Sequence, residues 1–250
     1  MNSLICAALR SAPPSWLRDL AGAWVFYSVL PGWPWPAPRF VRIARFAPWI
    51  GAVIGGLAAA LWLLLSALNW QPAALAPVAL ALELWLTGGL HLDGLMDTAD
   101  GLAAGNGRCL EAMDDSRVGA SGVQALVIVL LLQFSALLQL DGLAPAALVT
   151  SAIFARVSPL WAMGRFRYLR SDGTASFHRS NWCGWREGLP TLLLLTLVAL
   201  LLFWLQPEKL AALAGVVLLG TLSALIPAEW LGRHLGGHTG DSYGATLMIC

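Results

Sequence analysis

Long unbroken apolar runs, not alternation, shape this chain. Six are long enough to cross about 30 Å of hydrocarbon as helix. They cover about 48–68, 73–92, 120–140, 144–163, 189–205 and 210–231. The turn Asn69-Trp70-Gln71-Pro72 separates the first two. An earlier run, 20–30, is too short to span and ends in Pro31-Gly32-Trp33-Pro34-Trp35-Pro36. It predicts an interfacial or re-entrant segment with tryptophans at headgroup depth. The expected fold class is all-α: a polytopic integral membrane helical bundle of about six transmembrane helices, preceded by that segment. One domain, 1–250, is expected. Continuous runs argue against a membrane β-barrel.

Composition strengthens this reading. Of 250 residues, 58% are hydrophobic and only 12% are charged, about half the usual charged share. Mean hydropathy is +0.70. A net charge of +1 offers no field to recruit nucleic acid. Cys6, Cys109, Cys183 and Cys250 lie far apart with no CxxC pair, which argues against a disulfide framework or a zinc knuckle. Nothing near the N-terminus reads as a signal peptide, since Pro13 and Pro14 follow a short apolar run.

Basic residues set the orientation. With six spans, thirteen of the fifteen fall on one side; Arg156 lies inside a span and Lys209 opposite. The positive-inside rule then places both termini and the loops at about 93–119, 164–188 and 232–250 in the cytoplasm. Six of the fourteen acids fall between Asp93 and Asp115. Such one-sided polarity suggests chemistry at one face, where transport would want polar groups reachable from both.

The segment Gly88-Gly89-Leu90-His91-Leu92-Asp93-Gly94-Leu95-Met96-Asp97-Thr98-Ala99-Asp100-Gly101 carries the strongest signal. Asp93, Asp97 and Asp100 are spaced i, i+4, i+7, which puts them on one helical stripe. Three carboxylates there repel one another unless a cation sits between them. Hard oxygens without thiols favour Mg²⁺, with Mn²⁺ as the alternative. The same spacing also describes a solvated acidic helix cap. His91 could serve as a base, a ligand or a phosphate donor, or be an interfacial histidine with a satisfied hydrogen bond.

Three further segments fit a metal–phosphate site. Asp115-Ser116-Arg117-Val118-Gly119-Ala120-Ser121-Gly122 offers an acid, an arginine fork for phosphate and spaced glycines. The loop with Arg165, Arg167 and Arg170 could hold a polyanion, or be plain positive-inside charge. Gly236-Gly237-His238-Thr239-Gly240-Asp241-Ser242-Tyr243-Gly244-Ala245 reads as a loop whose backbone N–H groups could cradle phosphate. Together they suggest Mg²⁺-dependent phosphoryl transfer, without naming a substrate.

The first of these strings resembles the signature of the cobalamin synthase family, the adenosylcobinamide-GDP ribazoletransferases. Asp115 to Gly122 resembles the family's Asp-x-Arg-x-Gly-x-x-Gly motif. Gly236 to Ala245 resembles its Gly-Gly-x-Thr-Gly-Asp-x-x-Gly-Ala motif. Weaker similarity covers Phe26 to Pro31, Arg45 to Gly56, Arg156 and the Arg165 to Gly173 loop. Met96 departs from the family's smaller residue. The chain ends six residues after Gly244, where the family pattern leads one to expect another apolar helix.

The resemblance implies a late step in assembling the corrinoid nucleotide loop. Adenosylcobinamide-GDP supplies the activated phosphate. The 5′-hydroxyl of α-ribazole, or its 5′-phosphate form as acceptor, attacks the phosphorus on the cobinamide side, and GMP leaves. Adenosylcobalamin or its 5′-phosphate is the product. Asp93, Asp97 and Asp100 would hold Mg²⁺, completed by Asp115 or Asp241. Asp93, Asp97 or His91 would take the hydroxyl proton, and Arg117 would neutralise the transferring phosphate. Gly88, Gly89, Gly119, Gly122, Arg165, Arg167, Gly236, Gly237, Thr239 and Gly240 are the expected substrate-binding residues. An inner-membrane location follows, with the lipid bilayer as a partner and no nucleic acid; oligomeric state is not legible. Two weaker alternatives are a CDP-alcohol phosphotransferase of lipid synthesis and a cation or corrinoid transporter. The first lacks its arginine after Gly101, and only Glu83 supplies a deep acid for the second.

Overall fold

The structure, a computed structural model, describes residues 13–105, 107–170, 173, 175–205 and 210–250, without the side chains of Asp141, Leu202, Leu205 and Leu210. Cys6, Arg10, Asp172 and Lys209 lie outside the described residues. The described chain is helical, without a strand. Its helices are α1 (Ser15–Tyr27), α2 (Ala47–Ala67), α3 (Pro72–Leu86), α4 (Leu90–Ala104), α5 (Cys109–Met113) and α6 (Ala120–Leu140). They continue with α7 (Ala144–Ala155), α8 (Val157–Arg165), α9 (Ser176–Ser180), α10 (Leu189–Leu205), α11 (Leu210–Leu235) and α12 (Gly240–Ile249).

Four stretches are long and apolar enough to cross a membrane: Ala44–Ala67, Ala120–Leu140, Ala144–Arg165 and Ala211–Leu235. The bent pair α3 and α4 makes a fifth when counted as one span. Among the described residues, length and composition thus mark four or five of the about six expected spans. The fifth expected run is present as α10, and its described apolar stretch is Leu189–Leu201. Leucines on α6, α10 and α11 face outward; Leu132 is 65% exposed and Leu219 67%. Such a continuous apolar surface suits lipid and would be a liability in water.

The second expected span, 73–92, is corrected more sharply. Helix α3 stops at Leu86, and α4 leaves at 92° to it. The cause is local: Gly88 (φ 61°) and Gly89 (φ 73°) both adopt the left-handed region, which glycine alone enters freely. A leucine or alanine pair there would have let the helix run on. The continuous apolar run ends with α3. Helix α4 carries three carboxylates on fifteen residues, which suits a membrane face and not the hydrocarbon interior.

Packing relies on small residues where backbones meet. A Cβ on Gly55 of α2 would stand 2.5 Å from the Leu148 carbonyl of α7, and one on Gly51 would strike the Ala152 carbonyl. This is the close approach that small residues four apart permit between membrane helices. Helix α12 is sunk into the bundle, with Tyr243 to Leu247 buried. At the N-terminal segment, Asp19 is fully buried on α1 and binds both Arg39 (2.6 Å) and Arg45 (2.7 Å). A buried carboxylate is tolerable only with such paired, hydrogen-bonded cations.

Candidate functional site

Helices α4 and α12 cross where neither has a side chain. A Cβ on Gly94 would lie 2.5 Å from the Asp241 carbonyl, and one on Gly244 would lie 3.2 Å from the His91 backbone. This contact brings the first and third motifs together. It sets Asp93 and Asp97 on one side against Asp241 on the other. Asp97 is pushed up to about 6, first by burial and then by the like charges of Asp93, Asp241 and Asp100. Asp241 is also raised, mainly by burial, against the pull of Arg170. Among the described residues, neither Asp93 nor Asp97 accepts a side-chain hydrogen bond.

Arginine enters this cluster from the third arginine of the 165–170 loop, not from the two expected to bind substrate. Arg170 pairs with Asp241 at 3.0 Å and with Asp114 at 3.1 Å. Arg165 and Arg167, the expected phosphate holders, are engaged elsewhere. Arg165 faces Glu229 at 3.5 Å, and Arg167 donates to the Gly236 carbonyl at 2.9 Å. The 165–170 and 236–240 segments are further joined by backbone bonds, Leu169 N–H to His238 O and His238 N–H to Arg167 O. Arg167 thus positions the third motif, while Arg170 reaches its aspartate.

The second motif is placed differently from expectation. Arg117 pairs with Asp115 two residues away, at 2.7 Å, with its side chain 88% exposed. That fork holds Asp115 down to about 2. Asp115 and Arg117 therefore satisfy each other and do not act on Asp97. Gly119 and Gly122 donate their N–H groups, at 2.7 and 2.8 Å, to the two oxygens of Asp100. A Cβ on either would collide with that carboxylate. These glycines bind a protein carboxylate, so Asp100 anchors the second motif to α4.

The third motif is the start of a helix. Thr239 caps α12 by accepting the Ser242 N–H at 3.2 Å, and Ser242 Oγ accepts the Thr239 N–H at 2.8 Å. Thr239 Oγ1 also donates to Asp241 at 3.3 Å. Gly240 is the first helical residue. Gly88 and Gly89 form the break before α4 and so aim its carboxylates.

Beneath the aspartates lies a cavity of about 210 Å³. Asp93, Gly94 and Asp241 form its polar rim, and Tyr27, His91, Arg156 and His178 its deeper wall. Of the wall, sequence reasoning selected only His91 as a site residue. Burial holds His178 down to about 4, so it is neutral. Tyr27 and His178, far apart in sequence, offered no spacing signal.

The donor chemistry fits a hard divalent cation: oxygen ligands only, with like charges that it would relieve. Among the described residues no three acids, histidines or cysteines already converge on one point. The remaining oxygens would have to come from water or substrate phosphates, as Mg²⁺ sites commonly use.

Fold and site define a polytopic helical membrane protein with a carboxylate–arginine cluster built where two helices cross. The chain belongs to the cobalamin-5-phosphate synthase family, whose model matches residues 19–250. An adenosylcobinamide-GDP ribazoletransferase of Prochlorococcus marinus (strain MIT 9303) is 59% identical over 242 residues, covering 94% of this chain and 93% of the relative. Proteins of the same name from Thermosynechococcus vestitus and Desulfitobacterium hafniense are 41% and 37% identical. They cover 96% and 90% of this chain, and 93% and 91% of their own lengths. No solved structure matches. Family membership stands against both a lipid CDP-alcohol phosphotransferase and a transporter.

Proposed function

We propose that this chain joins adenosylcobinamide-GDP to α-ribazole, or to its 5′-phosphate, releasing GMP and forming adenosylcobalamin or its 5′-phosphate. The observation that carries the reading is the crossing at Gly94 and Gly244, which sets Asp93 and Asp97 against Asp241 with Arg170 beside it. The names and identities of the relatives supply the substrates.

The transfer forms one P–O bond and breaks another. An acceptor hydroxyl oxygen bonds to the phosphorus on the cobinamide side, and the bond to the bridging oxygen of GMP breaks. The 5′-hydroxyl expected from the sequence cannot serve both acceptors, because the 5′-phosphate form has none free. A ring hydroxyl of the ribose serves both. Asp93, which lines the cavity, accepts its proton. Arg170 offsets charge on the phosphates. Asp97 and Asp241 would hold Mg²⁺, which when bound neutralises the pyrophosphate and polarises the leaving phosphate. Asp100 keeps α4 and the second motif in register through Gly119 and Gly122. Both termini and the site face the cytoplasm of a bacterial inner membrane, supported by the one-sided arginines.

The test is product formation by the full chain in detergent, with adenosylcobinamide-GDP, α-ribazole and Mg²⁺. Equal amounts of cobalamin and GMP, abolished by EDTA, are expected. Folded protein that yields neither product contradicts the assignment.

A further inference from the structure

The walls of the cavity below the aspartates contain polar atoms with no partner. Arg156 Nε, His91 Nε2, His178 Nδ1 and Tyr243 Oη are all buried without a hydrogen bond. Arg156 is 4% exposed. Among the described residues it meets no carboxylate within ion-pair distance, and its Nη1 donates only to the Ala152 carbonyl at 2.8 Å. Native proteins rarely leave so many buried polar groups unsatisfied in one place unless water, an ion or a ligand completes them. The rest of the lining is flat or apolar. Tyr27 and His178 lie nearly parallel at 9°, and Leu90, Leu160 and Leu247 close the sides.

Size decides which substrate part could enter. About 210 Å³ lies below the usual range for a whole drug-sized ligand. A corrin macrocycle or a guanosine diphosphate is far too large. One bicyclic ring fits.

We infer that this cavity is the acceptor's base subsite, taking the flat, uncharged bicyclic nitrogen heterocycle of an α-ribonucleoside, with its ribose turned toward Asp93 and Asp241. The inference rests on the proposed transfer and adds where and how the acceptor is held. The unsubstituted ring nitrogen accepts a hydrogen bond from Arg156 or from a neutral imidazole. Aromatic faces stack on the ring, and the leucines receive its methyl groups. The sugar hydroxyls then emerge at the carboxylate rim. The corrinoid donor is left to approach from the open side, past the carboxylates at the cavity's rim. Arg156, which the sequence showed as a charge inside a span and as part of the weaker family similarity, becomes a residue that binds substrate.

The test narrows the cavity without touching the carboxylates. Ala47 and Ala175 line it and are 4% and 9% exposed. Ala47→Leu and Ala175→Leu are each expected to raise KM for α-ribazole at least tenfold, leaving KM for adenosylcobinamide-GDP within about twofold. The donor KM also reports that the variants are folded. A second arm needs no variant: free 5,6-dimethylbenzimidazole should inhibit the wild type competitively against α-ribazole and not against the donor. An acceptor KM that ignores both substitutions, or a base that does not compete, overturns the subsite and leaves the transferase standing. A folded wild type that makes no cobalamin overturns both.

Discussion

Gly94 on α4 presses against the backbone of Asp241 on α12, closely enough that a Cβ would stand 2.5 Å from the carbonyl oxygen. Two motifs nearly 150 residues apart become one site through that missing side chain. Gly94→Ala must push α12 away and separate the carboxylates. Overpacking of this kind costs about 1–3 kcal/mol. The variant is expected to melt lower in detergent and to lose most turnover. Gly56→Ala meets nothing within 4 Å and is the matched control, expected to leave both unchanged.

The two arginine assignments make opposite demands on mutagenesis. Arg170 lies against Asp241 and Asp114. Among the described residues Arg117 reaches only Asp115, and it is 88% exposed; such pairs contribute roughly 0–1 kcal/mol. Arg170→Ala is expected to lower kcat on the order of a hundredfold, as loss of a positioned charge does. Arg117→Ala should stay within about threefold. Steady-state kinetics on the two variants decides the matter, and the reverse order would return the phosphate role to Arg117.

Stability should depend on His238. It is fully buried, with Nδ1 beside Ser242 Oγ at 3.0 Å and Nε2 beside the Ala228 carbonyl at 3.1 Å. Burial lowers its pKa from 6.5 to about 4. Below about pH 6.5 the unfolded chain takes up a proton that the folded chain refuses until about pH 4. The histidine's contribution to stability therefore falls as pH drops through that window, by up to about 1.4 kcal/mol per pH unit for each such group, while the raised carboxyl of Asp97 contributes with the opposite sign. His178, also held at about 4, adds a similar slope. His238→Gln should flatten the melting-temperature profile between pH 6.5 and 4 and leave the His178 share.

Much of this architecture is legible along the chain, because apolar runs of span length announce themselves. The breaks are less so. Gly88 and Gly89 sit in a run that hydrophobicity alone joins into one helix, and only their left-handed conformation reveals a 92° turn. The aspartate stripe was readable from spacing within α4. Of its partners, Asp241 came only through the family resemblance, as an alternative to Asp115, and Arg170 was not distinguished from its loop neighbours, since both arrive from distant segments. Asp100 illustrates the limit: three aspartates on one helical stripe look alike, yet this one is held by the N–H groups of Gly119 and Gly122. Arg165, Arg167 and Arg170 share one short loop, and nothing in their order says which reaches the site. The glycines of the third motif suggested a phosphate loop, whereas Thr239 and Ser242 close a capping box there.

The central claim is that α4 and α12 build one catalytic centre. A double-mutant cycle on Asp97 and Asp241 tests it most directly, with turnover as the readout. Asp97→Ala and Asp241→Ala should each lower kcat/KM on the order of a hundredfold or more. Residues that serve as one unit are strongly non-additive. If the two helices form one centre, the double variant is little worse than the poorer single one. Losses that multiply would show two independent sites and contradict it.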